Sequence, residues 1–216
     1  MDYHDLFDLK KNKRIGIMGG TFDPIHYGHL VTAETARSEF ALEKVIFVPS
    51  GNPPHKSEAM VTRKEQRYLM TVLATAANPY FEVSRVEIER PGQSYAIDTV
   101  REFKSKMDED SELYFITGAD AIFEIVTWKD VDGLFDRCTF IAATRPGFNL
   151  DALREKLLKR LPIEYLKKII PLEVPAMAIS STDIRQRIRN NRTVKYLLPE
   201  EVENFIYKNK LYRVDH

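Results

Sequence analysis

The sequence is short of the features that mark specialised classes of protein. It has one cysteine, Cys138, in 216 residues. A single thiol cannot build an internal disulfide framework or a cysteine-based zinc site, and the scarcity fits a reducing cytoplasm. Cys138 lies in RCTFIAA, which reads as a buried strand, so an inert core thiol is expected. No apolar run approaches the roughly 20 residues needed to cross a bilayer, so no membrane partner is expected. The start, MDYHDLFDLKKNKR, is polar and lacks the hydrophobic stretch of a signal peptide. Residues 1–12 read as an extension, and residues 13–216 as one domain, since the length suits one core and is short for two. Charge of either sign is not in excess, with 32 Lys and Arg against 32 Asp and Glu. That balance removes any global field toward nucleic acid, and no aromatic-basic stripe is present. A local basic pocket for a small anion remains open. Walker A and GxGxxG phosphate loops are both missing, as are internal repeats.

What is present is an alternation of apolar runs with amphipathic stretches, the pattern of βα units around a parallel sheet. Strands are expected at Arg14–Gly19, Lys44–Pro49, Phe81–Glu87, Leu113–Gly118, Cys138–Ala143 and Ile169–Val174. KVIFVP, LYFITG and TFIAA are nearly continuous, as strands buried on both faces should be. Helices are expected at His29–Phe40, Thr62–Ala77, Ala96–Met107, Asp120–Val126, Leu150–Lys159, Thr182–Asn190 and Pro199–Lys208. The expected fold is α/β: a doubly wound, Rossmann-like parallel sheet with helices on both faces and a helical C-terminal part closing over one edge. Ligands of such sheets bind beyond the carboxyl ends of the strands.

The first strand runs into GGTFDPIHYGH. Gly19 and Gly20 let the backbone approach a bulky anion, and the helix that follows offers free N–H groups and a positive dipole end. His26 and His29 flank Gly28 and face one side if helical geometry starts there. Two such donors beside an anion suit phosphoryl transfer, where charge builds on phosphate oxygens. Taken as a lone HxxH, the pair reads better as one histidine capping the turn and the other exposed to solvent. The last strand is followed by Ile179-Ser180-Ser181-Thr182-Asp183-Ile184-Arg185. Three hydroxyls at a helix start, with an arginine one turn in, make a second phosphate cradle. Capping by Ser181 or Thr182, with Arg185 in solvent, is the plainer alternative.

Together the two strings change the reading. Gly20-Thr21-Phe22-Asp23-Pro24 followed by His26-Tyr27-Gly28-His29 resembles the signature of the HxGH nucleotidyltransferase superfamily. Ile179–Arg185 resembles its second signature, ISSTxxR. Pro53-Pro54-His55-Lys56, Gly92–Thr99, Gly118-Ala119-Asp120, Trp128, Arg145-Pro146-Gly147 and the ending KYLLPEEVENFIYKNKLY resemble bacterial nicotinate-nucleotide adenylyltransferases, over about Lys13 to Tyr212.

That resemblance implies AMP transfer from ATP to nicotinate mononucleotide, giving the deamido dinucleotide of NAD biosynthesis and pyrophosphate. It implies catalytic roles for His26, His29 and Arg185. An ATP site would comprise Gly19, Gly20, Thr21, Phe22, His26, His29, Gly118, Asp120, Arg145, Ile179, Ser180, Ser181, Thr182 and Arg185. The mononucleotide would meet Lys56, Tyr95, Ala96, Trp128 and Lys129. Magnesium would arrive with ATP, held by phosphates and water and by no dedicated protein site. Read residue by residue, several of these have structural alternatives. Trp128 is either core or a platform for a pyridine ring. Lys56 is either solvated or a phosphate contact. Asp120 caps a helix, meets ribose hydroxyls or faces a magnesium shell. Asp98 and Thr99 cap and pack a helix or bind substrate. The sequence departs from the family at Ala96, where SYTxDT is common; the backbone N–H is kept and a hydroxyl is lost. Competing readings are a phosphopantetheine-type transferase, which usually has threonine at the position of His26, and a nucleotide sensor without turnover. Nothing in the sequence assigns an oligomeric state.

Overall fold

A computed structural model describes residues 13–54, 61–145, 147–175 and 178–213. The extension expected at residues 1–12 lies outside them. Six strands, β1 (Arg14–Gly20), β2 (Lys44–Pro49), β3 (Phe81–Val83), β4 (Glu112–Gly118), β5 (Thr139–Thr144) and β6 (Ile169–Glu173), form one sheet in the order β3-β2-β1-β4-β5-β6. All five pairings are parallel. The order reverses between β1 and β4, so a crevice opens there between loops that leave in opposite directions.

Ten helices flank the sheet among the described residues: α1 (Tyr27–Glu39), α2 (Lys64–Thr75), α3 (Val86–Glu89), α4 (Ala96–Lys106), α5 (Ala119–Phe123), α6 (Val131–Arg137), α7 (Leu150–Leu158), α8 (Ile163–Leu166), α9 (Ser181–Arg189) and α10 (Glu200–Lys208). None is long and apolar enough to cross a membrane. Alternate strand residues divide the core in two, because successive side chains leave a strand on opposite faces. Ile15, Ile17, Ile46, Val48, Phe115 and Phe140 pack with Ile97, Val100 and Phe103 of α4 and with residues of α6 and α7. Met18, Val45, Phe47, Ile116 and Ile141 pack with Ala33 and Ala36 of α1, Met70 of α2, and Ile184, Ile188, Val202 and Ile206 of α9 and α10. The C-terminal part therefore does not close an edge. Val202 and Ile206 sit one turn apart and turn α10 onto this second face, beside α2.

Most expected elements are present with ends shifted by a residue or two. The third strand is the exception: it stops at Val83, and Val86–Glu89 is a helical turn. The Ser84 hydroxyl accepts the Val86 N–H at 3.2 Å and starts that turn. Helices α6 and α8 were not expected. The α5 segment is shorter than expected and gives way to a 3₁₀ turn at Ile125–Thr127. Cys138 stands just before β5, buried, with its thiol donating to the Leu134 carbonyl at 3.3 Å. Burial pushes its pKa up to about 12, which fits the inert reading.

Candidate active site

The loops after β1, β4, β5 and β6 open on a single cleft of about 680 Å³. Gly19, Thr21, Phe22, His26, His29, Gly118, Asp120, Arg145, Ile179, Ser180, Ser181, Thr182 and Arg185 all line it. Gly20 does not belong to this lining. Its carbonyl accepts the Ser50 N–H at 2.8 Å and the Ser50 hydroxyl at 3.2 Å, on the β2 side. It must still be glycine, since a Cβ there would lie 2.7 Å from the Phe22 ring.

Phe22 takes a left-handed backbone, with φ of 48°. A non-glycine residue held there stores strain of about 1 kcal/mol or more, so the surroundings must over-determine it. They do: the ring is buried, packs on Phe47, and meets His29 edge-on at 5.1 Å. His26 is the extended residue immediately before α1, and His29 lies in the first turn. The His29 Nδ1 accepts the His26 backbone N–H at 3.3 Å. The two imidazoles stack with centroids 3.8 Å apart. Gly28 makes room for this, because a Cβ would stand 3.0 Å from the His26 ring.

Burial holds the His26 pKa down at about 4, and burial with the neighbouring His26 holds His29 at about 3. Both rings are neutral near pH 7 in the free protein. With Nδ1 of His29 acting as acceptor, its proton belongs on Nε2, the remaining nitrogen. His26 Nδ1 is buried and lacks a hydrogen-bond partner among the described residues.

The second cradle is tied directly to the first. The cap of α9 is Ser180, one residue earlier than expected, and its hydroxyl accepts the Asp183 N–H at 3.1 Å. Ser181 instead donates to the Pro24 carbonyl at 2.8 Å. Arg185 donates to the Asp23 carbonyl at 2.7 Å and to the Thr182 hydroxyl at 3.3 Å. So Arg185 is held against the first loop, 162 residues away in sequence, and is not left in solvent.

Tyr95, Ala96, Trp128 and Lys129 lie outside this cleft's lining and form a second group. Trp128 is half-buried and forms T-shaped pairs with Phe115 and Phe140, ring centres 5.8 Å and 6.3 Å apart. Phe115 also stands against Gly19, where a Cβ would meet its ring at 3.2 Å, so that one ring separates the cleft from Trp128. The Lys129 ammonium lies 4.4 Å from the centre of the Tyr95 ring and 3.3 Å from an Asp98 carboxylate oxygen. Asp98 is thereby paired, and Thr99 is buried, donating to Glu87 at 2.6 Å. No side chain caps the first turn of α4, which Ala96 begins. Lys56 lies outside the described residues.

Sequence reasoning missed a buried support beneath the first loop. Arg67 is 1% exposed and donates to three carbonyls: Thr21 at 2.7 Å, Thr62 at 2.8 Å and Gly51 at 3.0 Å. Burial lowers its pKa, opposed by Asp23, Tyr212 and Glu87. The Asp23 carboxylate accepts the Tyr212 hydroxyl at 2.7 Å and the Thr62 N–H at 3.2 Å. One signal was available. Arg67 shares the buried register of α2 with Met70, Thr71 and Thr75, where an arginine needs partners. No group of three or more His, Cys, Asp or Glu that could hold a metal occurs among the described residues.

Sheet order and cleft together define a doubly wound α/β protein whose cleft opens at the switch point, between the loop after β1 and the loop after β6. The model of the cytidylyltransferase-like family matches residues 17–187. A protein of Moorella thermoacetica named "Probable nicotinate-nucleotide adenylyltransferase" is 66% identical over 93% of this chain and 92% of its own length. One of the same name from Thermoanaerobacter is 58% identical over 96% of this chain and 98% of its own. Among solved structures, the Plasmodium falciparum nicotinic acid mononucleotide adenylyltransferase complexed with NaAD aligns at a TM-score of 0.74. It covers 93% of this chain and 97% of its own, at 22% identity, and so speaks for the fold. The chain belongs to the cytidylyltransferase-like family and, within it, to the nicotinate-nucleotide adenylyltransferases.

Proposed function

We infer that the chain transfers AMP from ATP to nicotinate mononucleotide. The mononucleotide phosphate oxygen attacks the α-phosphorus of ATP, the bond to the bridging oxygen of pyrophosphate breaks, and the deamido dinucleotide precursor of NAD is formed. The observation that carries this reading is the stacked His26–His29 pair sharing one cleft with the Ser180–Arg185 loop.

The roles follow from chemistry and position. His29 donates from Nε2 to an α-phosphate oxygen, where charge grows in the transition state. His26 supports it and offers its uncommitted nitrogen to the same phosphates. Arg185, together with the first-turn amides of α9, holds the β- and γ-phosphates and then the departing pyrophosphate. Gly118, Asp120 and Arg145 line the cleft where the nucleoside and its phosphates extend across the switch point. Catalysis comes from alignment and charge stabilisation and needs no covalent intermediate.

The second group is assigned to the mononucleotide. Trp128 stacks on the pyridine ring, and the backbone N–H groups of Ala96 and Lys129 meet its carboxylate. Lys56 is proposed to meet the mononucleotide phosphate. Asp120 is an exposed cleft carboxylate, whereas the Asp23 carboxylate is already committed to Tyr212 and Thr62. One free carboxylate fits a magnesium that keeps its waters and rides on ATP phosphates, and does not fit a protein cage. Such an ion neutralises phosphate charge. The protein is proposed to work in the cytoplasm.

The test is pyrophosphate release from ATP with nicotinate mononucleotide, nicotinamide mononucleotide and phosphopantetheine as acceptors. The acid is expected to exceed the amide by at least about tenfold in kcat/KM, because the carboxylate gains charge-assisted N–H contacts. Turnover with phosphopantetheine alone would overturn the reading.

A further inference from the structure

In the wall of the cleft, one residue gathers four parts of the chain. Asp23 is 4% exposed. Its carboxylate takes one donor from Tyr212, near the C-terminal end, and one from Thr62, at the approach to α2. Its carbonyl, on the same residue, takes the Arg185 guanidinium. Arg67 lies below, tying Thr62 to Thr21 and Gly51 through their carbonyls. Burial and the Asp23 charge raise the Tyr212 phenol far above its usual range, so it stays protonated and donates. Tyr212 does not line the cleft, and 189 residues separate it from Asp23.

This geometry has a consequence for Arg185. A guanidinium is aimed by what its other nitrogens hold, and here that anchor is the peptide carbonyl of Asp23. That residue is braced by the two donors on its carboxylate, and the following carbonyl by the Ser181 hydroxyl. If the phenol hydroxyl is removed, one carboxylate oxygen of this 4% exposed residue loses its partner, and the residue shifts to regain one. Arg185 shifts with it. A misplacement of about 1 Å in a phosphate-holding group costs up to about 100-fold in rate.

We propose that Tyr212 and Asp23 form a latch, seated on Arg67, that positions Arg185 for the triphosphate, making Tyr212 a positioning residue of the ATP subsite. The proposal rests on the function given above, since it takes the cleft to hold ATP.

The test uses the full chain with Tyr212→Phe, which keeps the ring and deletes one oxygen. Steady-state kinetics should show kcat/KM for ATP lowered at least about fivefold, the scale of one ordinary net hydrogen bond, with the mononucleotide KM within about twofold. Calorimetric ATP affinity should fall in step. Asp23→Asn, which retains the volume, should give the same ATP-selective loss, and the double variant should lose less than the product of the two. A merely structural role would lower the melting temperature and the active fraction while leaving both KM values unmoved, and that result overturns the latch. Wild-type protein that binds ATP with the affinity of Tyr212→Phe also overturns the latch and leaves the function standing. Wild-type protein that binds no ATP overturns both.

Discussion

The two sides of the site are built to different standards. On the side proposed for ATP, groups from distant parts of the chain hold one another: Ser181 on Pro24, Arg185 on Asp23, Tyr212 on Asp23, Arg67 on Thr21. On the side proposed for the mononucleotide, the polar contacts lie at the surface. Lys129 lies on Tyr95 and pairs with Asp98 at the surface, and Trp128 packs T-shaped against the core while half-buried. In the proposed role, two stacked neutral rings and a gripped guanidinium meet phosphate oxygens without moving when charge builds. Donors proposed on the backbone are unaffected by the side chain, so the proposed site accommodates an alanine at position 96. Under the proposed assignment, rate is secured on the ATP side and acceptor choice on the other. Substitutions on the two sides should therefore separate in their kinetic signatures.

The largest effect that sharpens this contrast is expected from His29→Ala. Turnover should fall at least about 100-fold while the fold survives, since a transition-state contact to phosphate is lost. Circular dichroism beside steady-state assays checks it, and a folded variant with near wild-type turnover would remove His29 from the mechanism. Next comes Arg185→Ala, which should weaken apparent ATP affinity by about tenfold or more, the scale of a charge-assisted contact, with the mononucleotide KM unmoved. If only the mononucleotide KM changed, the two phosphate sites would be assigned the wrong way round.

How these residues came to be readable from sequence differs in the same way. The GGTFDPIHYGH and ISSTDIR loops are contiguous strings at strand ends, so their chemistry is visible locally. The parallel strands were legible as unbroken apolar runs. Helices α3 and α8 span one turn each and show no period, and α6 lies in a stretch whose charges obscure it. Arg67 was hidden because an arginine on an amphipathic helix reads as the solvent side. Tyr212 was hidden because its meaning depends on a residue 189 positions away. Trp128 could be read as core or platform, and its T-shaped packing with partial exposure is compatible with both.

A smaller effect is expected on the open side. Trp128→Ala should raise the mononucleotide KM by about fivefold to tenfold, the worth of a stacked aromatic face, with ATP affinity unchanged. It should harm acid and amide mononucleotides alike, because stacking does not sense the substituent. A selective loss of the acid alone would place Trp128 at the carboxylate and not on the ring.

The smallest effect concerns pH. His26 and His29 have folded pKa values near 4 and 3, below the ordinary 6.5. Between those values the unfolded chain binds more protons than the folded one, so stability is full above about pH 6.5 and declines as pH falls toward 4. The melting temperature of His26→Gln/His29→Gln should depend less on pH over that window than that of the wild type. Saturating ATP should also flatten the wild-type decline, since phosphate charge beside the rings raises their pKa values. An identical pH slope in the variant would show that the rings do not titrate as their burial requires.

The claim on which the rest depends is that the cleft aligns acceptor and ATP for direct displacement at the α-phosphorus. It is tested by using a single diastereomer of ATP bearing sulfur on that phosphorus and determining the configuration of the dinucleotide product. The account predicts inversion, the outcome of one in-line step; retention would mean that AMP passes through a covalent bond to the protein, and would contradict it.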